Sequence, residues 1–175
     1  RSNLPSGLTL HQAIQVNRII ASPTPPPISN ASLAGSVPTI EVAVNGTPMP
    51  LGNGVTLPQA VTLQGTVSGV SDKLWVLVYP QNGRFYPQSN NACGVPPIHV
   101  HQTGTTWDVN LGLGDPNKNF GERFDIIVIA ADASANAYLE GWQQQSCGSG
   151  IFPGLLYIEL PTGIEEKAKV WVIRQ

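Results

Sequence analysis

The sequence predicts a mostly β chain: an antiparallel, Greek-key β-sandwich with one inserted helix and a Pro-rich N-terminal segment. Three observations carry this expectation. Short runs rich in Val, Ile and Thr recur at roughly ten-residue spacing, some alternating apolar with polar and some apolar throughout, as strands do. Glycine and proline, 18 and 16 of 175 residues, punctuate those runs as turns. Charged residues make up only 11% of the chain, against about 25% in ordinary globular domains. The helix formers Lys and Glu are therefore scarce, and the surface must be neutral and polar.

In chain order, residues 9–21 place Leu10, Ile14 and Ile20 near helical spacing behind Thr9, an N-cap residue type, and predict a short helix. Pro23, Pro25, Pro26 and Pro27 then exclude helix and central strand and predict an extended linker or stalk. Residues 1–35 thus form an appendage and 36–175 the sandwich. From Val37 the period becomes two: Ile40, Val42 and Val44 alternate with Thr39, Glu41 and Ala43 up to the turn signal Asn45-Gly46. Gly52-Asn53-Gly54 is a further turn. Val61, Leu63 and Val67 alternate with Thr62, Gln64 and Thr66, with Gly65 read as a bulge.

Lys73–Tyr79 is apolar on both faces, which places it centrally in a sheet covered above and below. Gln81-Asn82-Gly83 is a hairpin turn returning through Arg84–Tyr86. A polar loop, Pro87–Pro97, precedes strands at Ile98–His101 and Thr106–Leu111, separated at Gly104. Arg123–Ala130 is a second continuous β-branched run. Asp132 then caps a helix running toward Gln145, with Gly141 weakening its last turns. Strands at Leu156–Leu160 and Lys167–Arg174 flank the turn Pro161-Thr162-Gly163.

Nine basic and eleven acidic residues leave a net charge of −2 and no basic cluster to track a phosphate backbone, so nucleic acid is not an expected partner. The longest apolar stretch, Ile126–Ala131, is strand length and far short of a membrane span. The chain opens at Arg1 with neither Met nor signal peptide, and reads as a processed product or a fragment of something larger, with any anchor upstream of residue 1. Cys93 and Cys147 lie in Gly-flanked, polar, loop-like contexts and outside any CxxC motif. They predict a disulfide, hence an extracytoplasmic setting, and a bridge of this span contributes roughly 3 to 4 kcal/mol on a loop-entropy argument.

The first two strands, with Trp75 on the third, resemble the opening of immunoglobulin-like and fibronectin-like sandwich modules, across about half the chain. Cysteines in loops and a helix at 132–145 depart from that pattern. The segments Leu74–Pro80, Arg84–Gln88, Trp107 and Arg123–Ile126 resemble an accessory β domain of bacterial surface or signalling proteins. That resemblance implies a domain serving a larger protein and implies no activity; the reading adopted for the whole chain is a non-catalytic recognition or sensor module with a protein or carbohydrate ligand at the cell surface. The resemblance carries over no catalytic residue and no cofactor.

Candidate chemistry is sparse. His99-Val100-His101 would put two imidazoles on one strand face, an arrangement open to a metal if Asp108, Asp115 or His11 supplied a third ligand. This is the basis of an enzyme alternative, although the glutamate and later histidine of a cupin are missing. Asp108, Asp115, Glu122 and Asp125 offer carboxylates, but their spacing selects no pair. Asp115, Asn117 and Asn119 begin like a calcium loop and then lack its glycine and closing glutamate. Ser149 has no nucleophile elbow around it. Phe85, Tyr86, Trp107 and Trp142 near strand ends suggest rings that could stack on sugars, the basis of a carbohydrate-binding alternative. Asn30-Ala-Ser32 and Asn45-Gly-Thr47 match the N-glycosylation pattern, of consequence in a eukaryotic setting.

Overall fold

The computed structural model describes residues 39–44, 47–68 and 72–175. The predicted helix at 9–21, the Pro-rich segment, the 1–35 boundary, His11 and the acceptors Asn30 and Asn45 lie outside them. The strands are β1 (Glu41–Val44), β2 (Thr47–Pro50), β3 (Val55–Leu57), β4 (Ala60–Thr66), β5 (Lys73–Tyr79), β6 (Arg84–Gln88), β7 (His101–Thr103), β8 (Thr106–Gly112), β9 (Arg123–Ala131), β10 (Leu155–Leu156) and β11 (Ile164–Arg174). Among the described residues one α-helix, α1 (Ala133–Ser149), follows β9.

These form two sheets in the orders β2-β1-β4-β8-β7 and β10-β6-β5-β9-β11-β3. All neighbours are antiparallel except β3 and β11, which run parallel from Val55↔Val172 to Leu57↔Arg174. Three layers result. Leu74, Val76 and Val78 of β5 and Phe124, Ile126 and Val128 of β9 meet Leu63, Trp107, Val109 and Leu111 of the other sheet in the sandwich core. The intervening residues of the same strands, Trp75, Leu77, Tyr79, Ile127, Ile129 and Ala131, bury themselves under Ala135 and Leu139 of α1. Apolar character on both faces of β5 and β9 therefore has two causes, one on each side of the sheet.

Several expectations are corrected. Gly65 is not a bulge: β4 and β8 stay in register from Ala60↔Gly112 to Thr66↔Thr106. A β-carbon at Gly65 would instead collide with the Thr39 carbonyl oxygen and the Trp107 indole, so the glycine makes room for that ring. The bulge lies in β11, between Glu166 and Ala168. Trp75 is on the helix side of its sheet, and the tryptophan of the sandwich core is Trp107.

Helix α1 runs through Gly141 to Ser149. Asp132 accepts a hydrogen bond from the Ala135 N–H at one end, and Gly150, with φ 69°, closes the other. Cys147 is thus in the last turn of a helix rather than in a loop. Ile98–His101 is not a strand; it holds one bridge, Asn91↔Ile98, and β7 starts at His101. Leu156–Leu160 reduces to β10 and a 3-10 turn, Tyr157–Glu159. β2 and β3 were not expected, because proline and short length mask their pattern.

Candidate functional site

Cys93 and Cys147 form a disulfide with Cα atoms 5.5 Å apart, tying the loop after β6 to the end of α1. His99, on that loop, and His101, at its end, go to different layers. His101, on β7, directly faces Asp108 of β8, with Nδ1 2.9 Å from Oδ1, and its ring is 59% exposed. His99 turns the other way: its ring, only 13% exposed, stacks on Trp75 at 4.1 Å with Nε2 3.5 Å from Glu140 of α1. Burial pushes its imidazole below the ordinary value, against the pull of Glu140 and Gln143. Both rings border a hollow of about 330 Å³, each beside its own carboxylate. Among the described residues, no three His, Cys, Asp or Glu side chains come together as a metal-ligand set. The shared strand face expected of His99 and His101 is absent because the chain is not yet a strand at His99.

Nor do the four aromatic rings form one platform. Phe85 (1% exposed) packs beside Tyr79 in the core under α1, and Trp107 (2% exposed) fills the sandwich core. Trp142 is half-buried on α1, edge-on to Phe152 at 6.2 Å. Tyr86 is half-buried and lines a separate cleft. Period-two alternation decides this: Phe85 and Tyr86 are neighbours on β6 and must point to opposite faces.

Each of the four carboxylates has a hydrogen-bond partner within the protein. Asp125 is wholly buried and accepts from the Arg123 Nε at 2.9 Å, with the Lys169 ammonium 3.2 Å away. Asp115, Asn117 and Asn119 bond one another rather than facing a common ion: the Asn117 N–H donates to Asp115 Oδ1, and the Asp115 N–H donates to Asn119 Oδ1. The Ser149 hydroxyl donates to the Ser146 carbonyl at the helix end.

A cleft of about 840 Å³ lies where the β5–β6 turn, the β8–β9 loop and the segment before β10 converge. Val78 and Phe124, both sandwich-core residues, form its floor; Tyr86 and Phe152 supply rings, and Asp115 and Glu122 carboxylates. Its walls are fastened from behind. Arg84 Nη1 donates to the carbonyls of Pro153 and Gly154, and Arg174 donates to those of Asp115 and Pro116. Asn119 donates to Glu122 Oε2 at 2.7 Å, and Asn82 donates to the Tyr86 hydroxyl at 3.0 Å.

Gln81 (φ 40°) and Asn119 (φ 67°) are the two non-glycine residues with left-handed backbone among those described, and both line this cleft. Strain of this kind concentrates at functional positions. The sequence names Tyr86, Asp115 and Glu122 without connecting them, marks Gln81 only as a turn residue, and does not single out Phe152. Turn signals locate loops without saying which loops meet.

Comparison with protein-family models, curated proteins and solved structures gave no match to this chain. Among the described residues no helix is long and apolar enough to cross a membrane.

Proposed function

We propose that this chain is an immunoglobulin-like recognition module of an extracytoplasmic surface or signalling protein, binding a ligand without transforming it. The observation that carries the reading is the cleft at the end of the sandwich, which combines an apolar floor, a polar rim and two left-handed non-glycine residues.

The strand order supports the immunoglobulin-like part. With β1, β4, β5, β7, β8, β9 and β11 lettered A to G in chain order, the two sheets contain A-B-E-D and C-F-G, and β3 lies parallel to the last strand. Loops at the ends of such sandwiches are where these modules bind. The Cys93–Cys147 bridge and the low charge content support an oxidising setting outside the cytoplasm.

Two measurements test the proposal. Alkylation of intact source cells should trap the cysteine pair as a disulfide throughout the population; a reduced pair overturns the extracytoplasmic part. Surface plasmon resonance of the whole chain against surface glycans and extracellular peptides should give saturable binding, with each ligand recovered chemically unchanged. Chemical conversion of a bound ligand overturns the recognition part.

A further inference from the structure

We infer that the end-of-sandwich cleft binds a neutral, hydroxyl-rich ligand, a short oligosaccharide, with Tyr86 and Phe152 stacking on sugar faces and Glu122 and Asp115 accepting from hydroxyls. This rests on the recognition reading above and gives it a ligand class.

Charge comes first. The cleft lining contains two carboxylates and no Lys or Arg, which disfavours an anionic ligand. The arginines that build its walls are turned to backbone: Arg84 to Pro153 and Gly154, Arg174 to Asp115 and Pro116. The acceptors are held in place before any ligand arrives. Glu122 is oriented by the Asn119 amide at 2.7 Å and Asp115 by the Asn117 N–H at 2.9 Å. Each of these bonds uses one carboxylate oxygen, and the second can accept from a ligand hydroxyl.

The rings supply the complementary surface. Phe152 is 43% exposed, and Tyr86 packs against Gly154, where a β-carbon would strike the phenol ring. Gly154, at φ 70°, thereby sets Tyr86 beside the segment that carries Phe152. A sugar ring offers an apolar C–H face to an aromatic ring and hydroxyls at its edge, which matches rings on the walls and acceptors on the rim. A volume of about 840 Å³ is in the range of ligand clefts and suits a di- or trisaccharide.

Isothermal titration of the whole chain with trimers of β-glucan, xylan, mannan and N-acetylglucosamine tests this, with a galacturonate trimer and choline as anionic and cationic comparators. At least one neutral trimer should saturate the protein. Phe152→Ala and Tyr86→Ala should each weaken it about tenfold, and Glu122→Gln several-fold. Met49→Ala, on the far edge strand β2, should leave binding unchanged. Because Tyr86 also packs on Gly154, the exposed Phe152 is the variant that separates lost binding from lost folding.

Failure of every neutral trimer at millimolar concentration overturns the inference. So does binding indifferent to Phe152 and Glu122, or selective binding of choline. Selective binding of galacturonate overturns the ligand class and leaves the recognition reading standing. Cleavage of a bound trimer, seen by chromatography, overturns the recognition reading instead.

Discussion

Replacing Cys93 and Cys147 by Ser removes the covalent link between the loop after β6 and the last turn of α1. The bridge spans 54 residues, and the chain-entropy relation for a loop of that length gives about 4 kcal/mol. For a chain of 175 residues this corresponds to a fall in Tm of about 8 to 16 °C.

The loop has other attachments that survive the substitution. The backbone N–H groups of Asn90 and Asn91 donate to the carbonyls of His99 and Ile98, and the Asn90 side chain bonds Asp108 and Asn110 of β8. His99 remains stacked on Trp75. The loss should therefore arise mainly in the unfolded chain, freed of its cross-link, and little in the folded one.

Urea unfolding followed by tryptophan fluorescence measures both parts of this claim. The midpoint should fall, and the slope m should rise because the unlinked unfolded chain exposes more surface. Amide exchange at Asn91 and Ile98 should stay protected. A loss under about 1 kcal/mol, or exchange at those two amides rising to that of an open loop, would refute the argument.

Three further predictions concern stability. Gly65→Ala should destabilise by about 3 kcal/mol, since the added carbon meets the Thr39 carbonyl and the Trp107 ring; chemical denaturation showing no change would mean that the strands simply part there. Asp132→Ala should cost about 1 kcal/mol by orphaning the Ala135 N–H, whereas Asp132→Asn should retain most of it in thermal unfolding. His99 gives a pH dependence. Its imidazole is held below the ordinary value chiefly by burial, so the unfolded chain takes up this proton at higher pH than the folded one. Its contribution to stability is full above about pH 6.5 and is lost as pH falls from there through the folded value. His99→Gln should flatten that part of the curve, and identical curves for the two proteins would rule out the assignment.

Much of the fold was legible from local pattern. Two-sided apolar runs marked β5 and β9 as central strands, and their buried residues divide between the sandwich core and the core under α1. Asp132 announced the helix, and the two cysteines announced the bridge. The errors have definite causes. Gly65 in a strand suggests a local backbone feature, yet its reasons are the Thr39 carbonyl and an indole from β8, 42 positions further along the chain. Gly141 is expected to weaken the last turns of a helix running toward Gln145, yet α1 continues to Ser149, because the Leu139 side holds the helix to the sheet and outweighs a propensity cost of about 1 kcal/mol per glycine.

The sequence by itself determined the class of structure, the central strands and the cross-link, because each rests on the chemistry of residues within a few positions or on pairing the only two cysteines. Tertiary structure decided the site. His99 and His101, two residues apart, were separated into different layers, with Glu140 and Asp108 as their respective partners. Tyr86 of β6, Glu122 of the β8–β9 loop and Phe152 of the segment before β10 were gathered around one cleft. Periodicity tells which face of its own strand a side chain occupies. Which distant loop lies opposite is set by the packing of the two sheets, and no local pattern encodes that.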